Sequence, residues 1–153
     1  MPDIAAATYS CSVARTVEVV GERWTMLILR EAFLGVRRFD AMRRDLGIAR
    51  TILSDRLGKL VEHGILERRR YQERPERFEY RLTARGRDLY PIVVTLMRWG
   101  DEHLAPGGEA PVELVHVPCG HRTRPILVCD ACGQPIGARD VRPEPGPGLA
   151  KAA

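Results

Sequence analysis

Nowhere in these 153 residues do 18 apolar residues run together, so the sequence offers no membrane-spanning helix. The opening Met-Pro-Asp-Ile-Ala has no basic stretch followed by an apolar one, as a secretory leader would. The cytoplasm is therefore the expected location. Paired acids, a nucleophile beside its base and a phosphate-cradling glycine loop are all missing at usable spacing, which argues against an enzyme. No internal repeat is found. Cysteine is scarce at four residues, and in a reducing compartment these point to metal binding or redox chemistry before a disulfide framework. With 29% charged and 44% hydrophobic residues, the composition is that of an ordinary folded chain.

What the sequence does have is positive charge in one place. Residues 37–87 hold 14 arginines and one lysine against 8 acidic groups, a net of +7, whereas residues 105–153 carry five charges of each sign. A positive field confined to one segment calls for a polyanionic partner such as nucleic acid. Composition divides the chain as well. Residues 9–104 read as helices with little Gly or Pro. Residues 105–111 (Ala-Pro-Gly-Gly-Glu-Ala-Pro) read as a linker, 112–142 as a short module with three of the four cysteines, and 143–153 as a Pro/Gly-rich flexible tail.

Hydrophobic spacing places the elements of the first part. Val13, Val17 and Val20 form a helical stripe closed by Gly21. Trp24, Leu27 and Ile28 mark a second helix, with both Trp24 and Trp99 expected to pack in a core. A third helix spans 39–46, and a fourth runs from about 49 to 63 with Ile52, Leu53, Leu57, Leu60 and Val61 on its apolar face. Residues 65–71 and 78–82 then read as two strands joined by a polar turn. A long amphipathic helix follows from Thr83, with Leu89, Ile92, Val93, Leu96 and Trp99 on one stripe, and Pro91 should kink or split it.

Two helices joined by a Gly-containing turn and followed by a basic ribbon make a winged helix-turn-helix: mainly α with a small β wing. In that geometry the fourth helix enters the major groove with Arg50, Thr51, Ser54, Asp55 and Lys59, next to Arg56. Arg38 and the wing residues Arg69, Arg74 and Arg77 suit backbone or minor-groove contact, beside Arg68 and Arg70. Arg30 is expected to pair with an acidic neighbour.

The run from Cys11 to Thr16, the segment from Gly21 to Glu31 (Gly-Glu-Arg-Trp-Thr-Met-Leu-Ile-Leu-Arg-Glu) and Arg38-Phe-Asp-Ala-Met resemble the HxlR family of bacterial winged-helix regulators. So do Leu53-Ser-Asp-Arg-Leu, Glu62-His-Gly-Ile-Leu and Tyr80-Arg-Leu-Thr-Ala-Arg-Gly. The resemblance covers residues 9–104. It implies a homodimeric transcription factor on double-stranded DNA with a palindromic operator, its terminal helices making the dimer interface. It further implies that Cys11, at the start of the first helix, is a candidate sensor of an oxidant or small-molecule effector. Two positions depart from the family pattern: Ser12 replaces a proline, and Ala49 replaces the polar residue that caps the recognition helix, a loss of about 1 kcal/mol.

Cys119-Gly-His121 and Cys129-Asp-Ala-Cys132-Gly133 form a second constellation. Three thiolates and one imidazole suit tetrahedral Zn2+, so Cys119, His121, Cys129 and Cys132 are the expected ligands of a structural, zinc-ribbon-like site. His116 competes for the histidine place because His116-x-x-Cys119 repeats the two-residue spacing. Four protein ligands close the metal off from catalysis. The competing function is a zinc-containing protein-interaction adaptor without specific DNA binding.

Overall fold

The computed structural model describes residues 11–147, whose contacts fall into two compact units: one of the chain up to Tyr90, the other of Pro91 to Gly146. In the first unit, α1 (Ser12–Val20) buries Val20 but leaves Val13 and Val17 of its stripe exposed. Helix α2 (Arg23–Phe33) starts where the Glu22 carboxylate accepts the backbone N–H groups of Trp24 (2.9 Å) and Thr25 (3.1 Å), satisfying two donors that a helix start orphans. Ile28 and Leu29 are fully buried, while Trp24 is only half-buried and carries the Arg23 guanidinium over its ring. Arg30 does pair with an acidic neighbour, Glu31.

Helix α3 (Phe39–Leu46) buries Met42 and ends on left-handed Gly47, and α4 (Arg50–Glu62) buries Leu53, Leu57 and Leu60 at helical spacing. Ile52 departs from expectation: it sits one residue, about 100°, away from Leu53 around the helix, and it stays 38% exposed. Ile48, Ile65 and Leu66 complete the core. Strands β1 (Leu66–Gln72) and β2 (Arg77–Leu82) pair antiparallel from Leu66↔Leu82 to Arg70↔Phe78, with an irregularity at Tyr71. The segment before α3 adds a short third edge, since Arg38 bridges Glu79 and the Tyr80 N–H donates to the Arg37 carbonyl (2.8 Å). The hydroxyl of Thr83 ties this wing to the helices. It donates to the Gly64 carbonyl (2.6 Å) and accepts from the Gly86 N–H (3.0 Å), capping the one-turn helix α5 (Ala84–Arg87).

The expected long helix is split, as Pro91 requires, into α5 and α6 (Tyr90–His103). Helix α6 buries Val94 and leaves Ile92, Leu96 and Trp99 exposed. Trp99 therefore corrects the core reading: its stripe is apolar, but the residue is 57% exposed because none of the described residues covers that face. The second unit continues through a 3-10 turn (Pro106–Gly108) inside the expected linker, then strands β3 (Leu114–His116) and β4 (His121–Thr123), which pair antiparallel. Contacts group α6 with this module, and Arg98 of α6 donates to the Pro125 carbonyl (3.2 Å). From 104 to 147 no residue is buried. Residues 143–147 form no helix or strand; the rest of the expected tail lies outside the described residues.

Candidate nucleic-acid interface

Burial of Leu53, Leu57 and Leu60 fixes the rotation of α4 and turns Arg50, Thr51, Ser54, Asp55 and Lys59 to solvent together. Ala49 occupies the N-cap with no side-chain hydrogen bond, so the first amide donors of α4 are left without the side-chain cap a polar residue would give. Such donors, at the positive end of the helix dipole, favour a phosphate. Within the exposed face the charges are unequal. Asp55 pairs with Lys59 (3.1 Å) and lies 3.7 Å from Arg56, so it partly offsets Lys59, whereas Arg50 rests over the Phe39 ring (5.3 Å) with its cation free of any ion pair among the described residues.

Arg56 is half-buried, which sequence reasoning did not anticipate. Its Nε lies 3.3 Å from Oε2 of Glu22, an ion pair not aligned as a hydrogen bond. Glu22 thus caps α2 and holds α4 at the same time. The one available signal was an acid directly before an apolar helical run. The partner, 34 residues further on, left no trace in spacing.

In the wing, alternation sorts the basic residues. Arg68 stacks its guanidinium 3.6 Å from the Phe78 ring centre, and Arg38 stacks on Tyr71 (4.7 Å). Arg70 is drawn to Glu76 (3.3 Å) and Glu73, and Arg81 to Glu79. Arg69, Arg74 and Arg77 are exposed and make no ion pair among the described residues. Thus the expected DNA-facing wing residues Arg69, Arg74 and Arg77 keep uncompensated charge, as does the ring-stacked Arg68, whereas Arg70 and Arg81 do not.

The cysteines lie elsewhere. Cys11 is exposed at the N-cap of α1, where its side chain makes no capping hydrogen bond. Cys119 and Cys132 are exposed and Cys129 is half-buried, all three as free thiols. His116 Nδ1 stands 3.2 Å from Cys119 Sγ, while His121 faces His116 across the β3–β4 ladder. The backbone N–H groups of Cys132 and Ala131, then the Cys132 thiol, hydrogen-bond the Cys129 sulfur and hold its pKa below that of an ordinary thiol; burial opposes this slightly. Among the described residues no three His, Cys, Asp or Glu side chains converge as a complete metal centre. Nor is any helix among them long and apolar enough to cross a membrane.

Comparison with known proteins places this geometry. An HxlR-like helix-turn-helix family model matches residues 19–107. The uncharacterized HTH-type transcriptional regulator Rv3095 of Mycobacterium tuberculosis is 56% identical over 138 residues, spanning 90% of this chain and 87% of that protein. Among solved structures, the candidate transcription factor PA1607 superposes with a TM-score of 0.79 at 38% identity, covering 92% of this chain and 98% of that one. The redox regulator HypR in its reduced form superposes with a TM-score of 0.57 at 33% identity, covering 60% of this chain and 92% of that one. The coverage by PA1607 exceeds what residues 1–104 could supply, so the match includes the C-terminal module. An ordered helix-turn-helix with a basic wing, a family match over more than half the chain and a relative of 56% identity agree: the chain belongs to the HxlR-like helix-turn-helix family of transcriptional regulators.

Proposed function

We propose that the protein is a cytoplasmic, homodimeric regulator that reads a palindromic operator, with α4 in the major groove and the wing along the flanking backbone. The observation that carries this reading is the sorting of charge. Arg50 on α4 and Arg69, Arg74 and Arg77 on the wing have no internal counter-ion among the described residues, while the neighbouring Arg56 and Arg70 are held by Glu22 and Glu76. Arg50, Thr51 and Ser54 suit base edges, and the wing cations suit phosphates or the minor groove. Arg38 stands on its aromatic support at the wing's third edge, and Lys59 lies further along α4 next to Asp55.

The dimer is supported by apolar surface that the described residues leave exposed: Ile92, Leu96 and Trp99 on α6 and, in the other unit, Val13 and Val17 on α1. Cys11 at the start of α1 is the proposed point of oxidant response, a reading supported by its exposure and by similarity to the redox regulator HypR. The test is duplex-DNA binding by wild type and by the Arg50→Ala/Arg77→Ala double variant. Loss of operator affinity, at about 1–3 kcal/mol for a base contact, is expected. Wild-type affinity in the double variant would overturn the assignment. Binding only to proteins, with no salt-dependent duplex binding, would favour an adaptor instead. For Cys11, operator binding that responds to oxidant equally in Cys11→Ser and wild type removes the sensor.

A further inference from the structure

Two turns in the second unit have the same construction. At His116-Val-Pro-Cys119-Gly120, the His116 carbonyl accepts the N–H groups of Cys119 (3.2 Å) and Gly120 (2.8 Å), and Gly120 takes a φ of +72°. At Cys129-Asp-Ala-Cys132-Gly133, the Cys129 carbonyl accepts the Gly133 N–H (2.7 Å), and Gly133 takes a φ of +73°. A left-handed residue is needed at the fifth place of each turn, and only glycine adopts it without steric cost. The first and fourth side chains of each turn then lie beside one another. In one turn they are an imidazole and a thiol with Nδ1 and Sγ already 3.2 Å apart; in the other they are the thiols of Cys129 and Cys132.

Each turn also caps a narrow antiparallel arm. The first closes the β3–β4 ladder at His116↔His121, and the second closes the pairing of Val128 with Pro135. Aligning the two turns residue by residue sets His116 with Cys129, Cys119 with Cys132 and His121 with Gln134. Histidine 121 thus takes the place that, in the second turn, holds a residue with no affinity for metal.

The surroundings state the need for a ligand. Residues 104–147 bury no side chain, although Val115, Val117, Ile126, Leu127 and Val128 are all there to be buried. A module this small without an apolar core is held by a staple, and thiolate–imidazole metal binding supplies one. We infer that the paired turns are the two halves of a structural zinc site with His116, Cys119, Cys129 and Cys132 as ligands, zinc drawing together halves that each already carry two donors in position. Three thiolates and one imidazole suit Zn2+ over hard divalent ions, and with four protein ligands the metal holds structure and performs no reaction. The site differs from the one expected from spacing alone in its histidine, and it is independent of the DNA-binding reading.

The experiment is metal analysis of the full chain, purified without chelator or metal-affinity tag, followed by Co2+ substitution. One zinc per chain is expected. Co2+ should give the visible absorption of a tetrahedral, thiolate-rich site. His116→Ala should weaken Zn2+ binding at least about tenfold and shift that spectrum, whereas His121→Ala should leave both unchanged. Operator binding and circular dichroism of each variant confirm that the winged helix is intact. The inference is overturned if the purified protein holds no zinc and Cys119, Cys129 and Cys132 all titrate freely, or if Cys129 and Cys132 are found joined as a disulfide. It is equally overturned if His121→Ala loses the metal while His116→Ala keeps it.

Discussion

The two units of this chain are stabilised by different means. In the unit ending at Tyr90, α2, α3, α4 and strand β1 gather Ile28, Leu29, Met42, Leu53, Leu57, Leu60 and Leu66 into fully buried positions. In the module after α6, a comparable supply of valine, leucine and isoleucine per residue stays exposed, and order comes from hairpins and glycine turns. The lesson is that apolar content does not make a core. An α-helix presents a stripe that a second helix can cover, whereas two three-residue strands present too little surface to exclude water from anything. The proposed roles divide along the same line: the unit with the core holds the proposed DNA-contact face in a fixed orientation, and the unit without one carries the proposed zinc ligands.

Side-chain truncation in each unit separates the two means of stabilisation most strongly. Leu57→Ala, which empties a fully buried position, should cost about 2–5 kcal/mol of unfolding free energy. Ile126→Ala, at a position 54% exposed, should stay within about 0.5 kcal/mol by the same denaturant titration. Equal losses at the two positions would mean that the module has a core of its own. Next in size is the apolar face of α6. Leu96→Glu should turn the protein from a dimer into a monomer in sedimentation at micromolar concentration and remove operator binding, because one half-site alone contributes too little. A smaller effect is expected at Glu22. Glu22→Ala removes the cap of α2 and the partner of Arg56 together, so a loss of about 1 kcal/mol in stability is expected. Glu22→Gln should recover part of it, because the amide oxygen still accepts the Trp24 and Thr25 N–H groups.

Much of the first unit was legible in the sequence. Helix ends at Gly21, Gly47 and Gly64 follow from the glycine positions, the helix break follows from Pro91, and both wing strands lie within a residue of the ranges that alternation gives. These features are local: a period, a cap, a ring that cannot donate. What escaped is what the chain brings together from afar. The Glu22–Arg56 pair, the Arg38–Glu79 bridge and the two bonds of the Thr83 hydroxyl to Gly64 and Gly86 leave no periodic signature, since neither partner is fixed by its neighbours. Ile52 and Trp99 show the converse. Both are apolar at helical spacing, but spacing reports only that a face is apolar and not whether this chain covers it. Among the DNA-facing residues, the sequence named the exposed set but could not separate arginines with internal partners from those without.

The salt dependence of duplex binding tests that separation of partnered from unpartnered arginines most directly. For wild type, the logarithm of the association constant should fall linearly with the logarithm of salt concentration. Arg77→Ala should lower that slope by about 0.9 for each phosphate contact removed, while weakening operator and random duplex nearly equally. Arg70→Ala, whose cation is already held by Glu76, should change the slope much less. A wild-type slope indistinguishable from zero, or equal slope changes in the two variants, would contradict the assignment of the wing and of α4 to DNA.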